Sequence, residues 1–174
     1  MENITNELSK EHQYILKVID AVMLECDRLV QGKDVDENFF QRVISFIQNY
    51  ADGYHHVKEE DILFKAMLRN MVNTHCNPIP VMLHEHDAGR EFVTGMKSAL
   101  VLYDKEALIE NARRYGNLLR DHIFKEDNVL YEMAEEALND SEKKTVNEAY
   151  AAVKLENFIK QDLDEFVKSL SVTI

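Results

Sequence analysis

The sequence has little glycine and proline, with five glycines and two prolines among its 174 residues. The residues between them favour helix, and no stretch shows the period-two alternation of a half-buried strand. We therefore predict an all-α protein. A chain of this length also suits a single domain, residues 1–174, with one substantial core.

Cysteine is scarce as well, because only Cys26 and Cys76 are present. Cys26 falls within a helical pattern and Cys76 within a predicted loop. The two therefore give neither a disulfide framework nor a CxxC pair. We interpret both as structural or incidental residues.

Basic residues are outnumbered, with 20 Lys and Arg against 32 Asp and Glu and a net charge of −12. A charge of this sign repels nucleic acid and anionic membrane surfaces, and no basic stretch compensates for it. Long apolar runs are missing too, and the N-terminal MENITNELSK lacks the basic and apolar regions of a signal peptide. We expect a cytoplasmic protein that binds neither nucleic acid nor membranes.

Apolar residues at alternating spacings of three and four predict four amphipathic helices, at about residues 3–30, 34–71, 77–103 and 104–138. The apolar stripes include Ile62, Tyr103 and Val129. Asp34 with Glu37 resembles a capping box at the start of the second helix. Short connections between such helices predict an up-down-up-down four-helix bundle over about residues 3–138. A further C-terminal helix, at about 141–170, is predicted to pack outside it.

Each of the four stripes has a gap that is filled by histidine instead of another hydrophobic residue. The polar residues in these gaps are His12, His55, Glu59, His86, His122 and Glu126. In an HxxxE pair the two side chains point within about 40° of each other and lie one turn apart. Counted from the predicted helix ends, the histidines of each hairpin also lie at similar heights. We expect all six residues to meet in one layer of the core.

An internal repeat selects among neighbouring histidines. HHVKEEDILF, from residue 55, aligns without gaps with HIFKEDNVLY, from residue 122. His55 and Glu59 match His122 and Glu126, whereas His56 matches an isoleucine. The repeat therefore favours His55 as the ligand, and His56 is interpreted as a supporting or surface residue in preference to the alternative of a ligand.

A second similarity concerns the first and third helices. KEH, which ends at His12, resembles HEH, which ends at His86. This similarity favours His86 over His84 as the inward-facing residue. We expect His84 to lie on the surface, about 160° away around the helix.

The clustering of these residues favours a metal site. A single histidine on an apolar stripe is most often a core histidine, and one HxxxE pair is more often a surface salt bridge. Six such residues in one layer are different, because two carboxylates buried without cations are strongly destabilising. Imidazole and carboxylate ligands without thiolates disfavour structural zinc and suit iron or manganese. Two glutamates between four histidines can bridge two ions and leave positions for a bridging oxygen species and a small ligand.

The order His12, H55-x3-E59, His86, H122-x3-E126 resembles the hemerythrin-like family, also called the HHE cation-binding domain, over about residues 3–138. The stretches YADGYHHVKEEDILF and PIPVMLHEHDAGREF look like the most recognisable blocks of that family. The resemblance implies a centre of two non-haem iron ions with carboxylate and oxo or hydroxo bridges. It also implies a function among oxygen binding, oxygen or iron sensing, nitric oxide response and peroxide chemistry.

The sequence departs from the oxygen-carrying hemerythrins at the third helix. Those proteins have HxxxH there, whereas the residue four after His86 is Arg90. They also have HxxxxD on the last helix. Asp127 fits that spacing from His122, although Glu126 is the favoured ligand. With one histidine fewer, we expect more open positions on the metal ions and poor reversible oxygen carriage.

These features predict a protein that binds or reacts with oxygen, nitric oxide or peroxide, with an oxidoreductase activity left open. An alternative is an iron- or oxygen-sensing or iron-handling module whose metal occupancy controls its stability or a partner. A third is a bundle whose metal site is vestigial. The electron donor and the oligomeric state are not indicated.

Overall fold

A computed structural model describes residues 3–70, 77–155 and 160–171. Within these ranges the chain is helical and contains no strand, so the predicted all-α class is confirmed. Cys76, for which a loop was expected, lies outside the described residues. None of the described helices is long and apolar enough to cross a membrane.

Six helices form the described part of the chain. Two of them change between α-helical and π-helical geometry along their length. The bounds are as follows: α1, Asn6–Val30; α2, α-helical at Glu37–Phe46, π-helical at Ile47–His56 and Lys58–Leu63, and α-helical at Phe64–Asn70; α3, Ile79–Leu102; α4, α-helical at Lys105–Lys125, π-helical at Glu126–Leu130 and α-helical at Tyr131–Ala137; α5, Asp140–Ala152; α6, Lys160–Ser171.

Polar side chains define several helix starts. The predicted capping box of Asp34 with Glu37 is wrong, because α2 is capped by Asp36, whose carboxylate accepts a hydrogen bond from a backbone N–H. A capping box is present at the start of α5 instead, where Asn139 and Glu142 exchange hydrogen bonds with each other's backbone.

Helices α1 to α4 form the predicted four-helix bundle, in which each helix contacts the one before and the one after it, and α4 also packs against α1. Two clusters of buried apolar side chains fill the interior. The larger cluster contains Ile15, Ala51, Val93 and Leu119, and the smaller contains Leu8, Leu63, Met82 and Leu130. Each of the four helices therefore passes from one cluster to the other. The predicted polar residues lie between the two clusters along every helix.

The C-terminal part of the chain differs from the prediction. Helical structure is present there, but α5 ends at Ala152 and α6 begins at Lys160. Helix α6 packs against α1 as an additional helix of the bundle. It contributes Leu163 and Phe166 to the larger apolar cluster, and the Phe166 ring lies 5.7 Å from the Phe46 ring.

Two apolar stripes are displaced by one residue relative to the prediction. Ile62 is only half-buried and Val129 is 51% exposed, whereas the residues that follow them, Leu63 and Leu130, are buried. Both positions lie in π-helical segments, where the i→i+5 pattern puts more residues in each turn and shifts the face that meets the core. Tyr103 is also exposed, because it ends α3 in the left-handed conformation with φ 55°.

Candidate metal centre

The structure brings the six predicted residues together between the two apolar clusters. All are buried, and they come from the four helices of the bundle: His12, His55, Glu59, His86, His122 and Glu126. Nε2 of His86 lies 2.9 Å from Nε2 of His122. Nε2 of His12 lies 3.3 Å from the Glu126 carboxylate.

The potential ligand atoms fall into two groups that share Glu59. One group contains His12, His55, Glu59 and Glu126; the other contains His56, Glu59, His86 and His122. Within each group the atoms lie within 4.8 Å of one another. Glu126 also lies 3.1 Å from Nε2 of His122, so both carboxylates lie between the groups. The arrangement could hold two cations that share two carboxylates.

His56 belongs to the second group, although the internal repeat did not favour it. The side chain is buried, and its ring stacks on the His86 ring with the centroids 3.8 Å apart. The surface interpretation is therefore wrong for His56, whereas His84 is exposed as expected. His55 and His56 end the π-helical segment Ile47–His56, in which adjacent residues are closer in direction than in an α-helix. The doubled histidine itself was the signal in the sequence.

Every imidazole of the site is held from outside by a carboxylate. The Nδ1 contacts are His12 with Asp127 at 3.0 Å, His55 with Glu11 at 2.9 Å, His56 with Asp52 at 3.3 Å, His86 with Glu60 at 2.7 Å, and His122 with Glu85 at 2.8 Å. An ionised carboxylate only accepts hydrogen bonds, so each Nδ1 is the donor. In a neutral ring Nε2 then presents a lone pair to the interior. Histidines that bind metal are usually oriented in this way.

The two central carboxylates have few partners. Oε2 of Glu59 and both carboxylate oxygens of Glu126 are buried and have no hydrogen-bond partner among the described residues. The remaining oxygen of Glu59 accepts a hydrogen bond of 2.7 Å from the Tyr131 hydroxyl. Orphaned carboxylate oxygens and inward-facing nitrogen lone pairs together form the donor set that a metal cation requires.

The model of the hemerythrin HHE cation-binding domain matches residues 3–134 of the chain. The chain belongs to this family. The match spans the four helices of the bundle and indicates a domain that binds a metal cation, typically iron. Among curated proteins, none matches the chain.

Basic side chains bind the carboxylates that orient the imidazoles. Lys58 is fully buried and bonds to Glu11, the partner of His55, at 2.5 Å. Arg90 bonds to Asp52 and to Glu60, at 2.8 and 2.6 Å. These cations neutralise carboxylates that orient the imidazoles, whereas the ionisable side chains nearest to Glu59 and Glu126 are histidines.

Without a metal ion, the negative charges of the buried carboxylates Glu59 and Glu126 have to be balanced by bound protons. Burial and the neighbouring Glu126 carboxylate raise the pKa of Glu59 well above its usual value. Burial would also raise the pKa of Glu126, but His122 and His12 hold it well below its usual range. Burial would lower the pKa of His12, but Asp127 and Glu126 outweigh it and raise the pKa to about 10. A bound cation would take the place of these protons.

Proposed function

We propose that the chain holds a non-haem di-iron centre in the layer between the two apolar clusters. His12 and His55 would hold one ion and His56, His86 and His122 the other, with the carboxylates of Glu59 and Glu126 between the two groups. The proposal rests on one observation: imidazole nitrogens and unpartnered carboxylate oxygens converge in a buried layer of a family that binds cations.

The ligand types support iron. Imidazole and carboxylate ligands suit iron and manganese, whereas structural zinc sites are usually built with thiolates. The described cysteine, Cys26, lies in the larger apolar cluster and not among the ligand atoms. The family match adds to this preference, because it typically implies iron.

The same ligand count supports a reaction with small molecules. Five nitrogens and two shared carboxylates do not fill the coordination of two octahedral ions, so positions are left for an exogenous ligand. Bound iron of this kind supplies redox chemistry with oxygen, nitric oxide or peroxide. The protein orients the imidazoles through their Nδ1 atoms and encloses the layer in apolar side chains above and below.

The fifth histidine changes one expectation. Poor reversible oxygen carriage was expected because the sequence suggested one nitrogen fewer than in the oxygen carriers. In the proposed centre His56 would supply the additional imidazole, and the nitrogen count would then no longer argue against reversible carriage. The proposed function therefore includes reversible binding as well as reaction.

Iron sensing is a second candidate, favoured by the position of the site. The ligands come from all four helices of the bundle, so a bound metal would link these helices to one another. A partner that distinguishes the stable from the unstable bundle would then respond to iron.

The test is metal analysis and visible spectroscopy of protein purified from iron-replete cells. We expect two iron ions per chain and a visible spectrum that changes when azide or nitric oxide is added. His86→Ala should lose iron, whereas His84→Ala, a change at an exposed histidine of the same helix, should not. A colourless wild-type protein that carries no iron would refute the proposal.

A further inference from the structure

A groove of about 770 Å³ is bordered by α1, α2 and the C-terminal part of the chain. The α1 side includes Lys10, Tyr14 and Lys17, and the α2 side includes Tyr50 and Tyr54. We call it the tyrosine groove. Its volume falls in the range of about 300–1,000 Å³ that is typical of small-molecule sites. The proposed metal ligands are not among its described lining residues, so the groove is separate from the metal centre.

Three tyrosine rings form a row in the lining. The ring centroids of Tyr14 and Tyr50 lie 6.1 Å apart, and those of Tyr50 and Tyr54 lie 5.7 Å apart. The Tyr14 hydroxyl donates a hydrogen bond of 3.0 Å to Asp164 of α6, which fixes the position of its ring. Tyr14 and Tyr54 are only half-buried, so part of each remains open to an occupant. Aromatic walls of this kind favour a planar aromatic molecule.

The charges of the lining favour an anionic group on that molecule. Lys10 and Lys17 are exposed, and neither forms an ion pair within the described part of the chain, although the net charge is −12. Glu7 and Glu11 also line the groove, but both accept a hydrogen bond of 2.5 Å from Lys58. The lysines are therefore the cations available to an occupant, and one of them, Lys17, lies 5.8 Å from the centroid of the Tyr14 ring.

One lining residue connects the groove to the metal centre. Glu11 lines the groove, and its carboxylate also accepts a hydrogen bond of 2.9 Å from Nδ1 of His55. A molecule in the groove would thus be separated from a proposed iron ligand by a single carboxylate. This short hydrogen-bonded path suits the transfer of electrons between the occupant and the iron.

We propose that the tyrosine groove binds a planar aromatic electron donor with an anionic group, of the class of reduced flavin mononucleotide (FMN). Reduced FMN loses two electrons and two protons when it becomes oxidised FMN. One electron reduces each ferric ion of the proposed centre to the ferrous state, and the protons pass to solvent. The inference rests on the proposed di-iron function and names the class of its electron donor.

Fluorescence titration with oxidised FMN and with riboflavin, which lacks the phosphate, tests the charges. We expect the iron-loaded protein to bind both and to bind FMN more tightly. Lys10→Met combined with Lys17→Met should weaken FMN binding by roughly two- to tenfold, the value of two exposed charge pairs, and should leave riboflavin binding unchanged. Lys97→Met combined with Lys144→Met is the matched control, because both lysines are exposed outside the groove and the net charge changes equally.

Removal of one ring tests the aromatic wall. Tyr14→Leu should weaken the binding of both flavins by roughly two- to tenfold, the value of one aromatic contact. Tyr103→Leu is the control, because Tyr103 is 82% exposed and lies outside the groove. Circular dichroism checks the fold of each variant. If Tyr14→Leu does not fold, the lysine variants still decide.

Electron transfer is measured by anaerobic mixing of the di-ferric protein with reduced FMN, followed by the loss of visible absorbance. At FMN concentrations below saturation, the Lys10 and Lys17 double variant should be reduced more slowly, by the factor that its affinity has lost. The control double variant should be reduced at the rate of wild type.

Three results would overturn the groove proposal while the di-iron centre stands. The first is iron-containing wild-type protein that binds neither flavin. The second is flavin binding that is unchanged in the lysine double variant and in folded Tyr14→Leu, because binding would then occur elsewhere. The third is bound FMN whose reduced form does not reduce the iron. Iron per chain is measured in every sample, since protein without iron refutes the di-iron centre and the electron donor with it.

Discussion

Removal of the metal is expected to lower the free energy of unfolding by several kcal/mol. A ligand that binds only the folded state stabilises it by about 4 kcal/mol when its free concentration is 1,000 times its dissociation constant. Two such sites would contribute about 8 kcal/mol, twice that value. Whole domains have only about 5–15 kcal/mol of stability. Chelated protein should therefore be close to unfolding at temperatures where the iron-loaded protein is folded.

One substitution, Glu59→Gln, should affect the metal-free and the iron-loaded protein differently. In the metal-free protein Glu59 is buried beside Glu126, and its pKa is raised by burial and by that carboxylate. Glu59→Gln removes the charge and keeps an oxygen that can accept the Tyr131 hydrogen bond. We expect this variant to stabilise the metal-free protein by about 1–3 kcal/mol, the cost of a poorly compensated buried polar group. It should also lose most of the stabilisation that metal provides.

The sign of the pH dependence follows from the same pKa shift. A raised pKa of Glu59 in the folded state means that metal-free wild-type protein loses stability as pH rises above the unfolded pKa of about 4.3. Below that pH the carboxyl is protonated in both states, so the advantage of Glu59→Gln should disappear. The advantage should appear above that pH and grow until the pH passes the raised pKa of Glu59 in the folded state.

Urea unfolding followed by far-UV circular dichroism measures these effects with and without iron. Glu132→Gln, at an exposed position of α4, is the control and should behave as wild type in both states. Equal unfolding midpoints for iron-loaded and chelated wild type would refute the reasoning. So would a Glu59→Gln variant that is less stable than wild type in the metal-free state at neutral pH.

Three further substitutions test the surroundings of the site. His56→Ala should reduce iron below two ions per chain by elemental analysis, whereas His84→Ala should not, because His84 is exposed. Lys58→Met removes a fully buried cation and leaves its carboxylate partner uncompensated, so denaturant unfolding should show a loss of about 3–5 kcal/mol. Lys65→Met, at an exposed salt bridge, should change stability little. Gly53→Ala should destabilise by about 1–3 kcal/mol in the same assay, because its Cβ would lie 3.0 Å from a backbone carbonyl oxygen.

The predictable part of the site depends on α-helical periodicity. His12 and His86 lie in α-helices throughout their surroundings, and His122 lies in the α-helical part of α4. Their inward positions follow from the apolar residues three and four places away. The all-α fold and the four-helix bundle follow from the same periodicity. These features can be predicted without knowledge of the tertiary contacts.

The carboxylates that orient the imidazoles could not be identified in the same way. Three of them, Glu11, Glu60 and Glu85, lie beside other polar residues in the sequence, where charged side chains usually mark a solvated face. Their function depends on neighbouring helices: Glu11 of α1 reaches His55 of α2, and Glu85 of α3 reaches α4. Such pairs join residues far apart in the chain, so single-sequence periodicity does not reveal them.

The number of histidines at the centre follows from an asymmetry between the two halves of the internal repeat. In α2 the π-helical segment Ile47–His56 lies before and includes the histidines, and it turns His56 inward beside His55. In α4 the π-helical segment begins only at Glu126, after the histidine. Ile123, the counterpart of His56, therefore lies in α-helix and packs in the larger apolar cluster. A gapless alignment of the two segments compares single residues and does not show how many residues make up each helical turn. Both counterpart positions are buried, so the histidine at position 56, opposite the isoleucine at position 123, divides the five imidazoles between a group of two and a group of three.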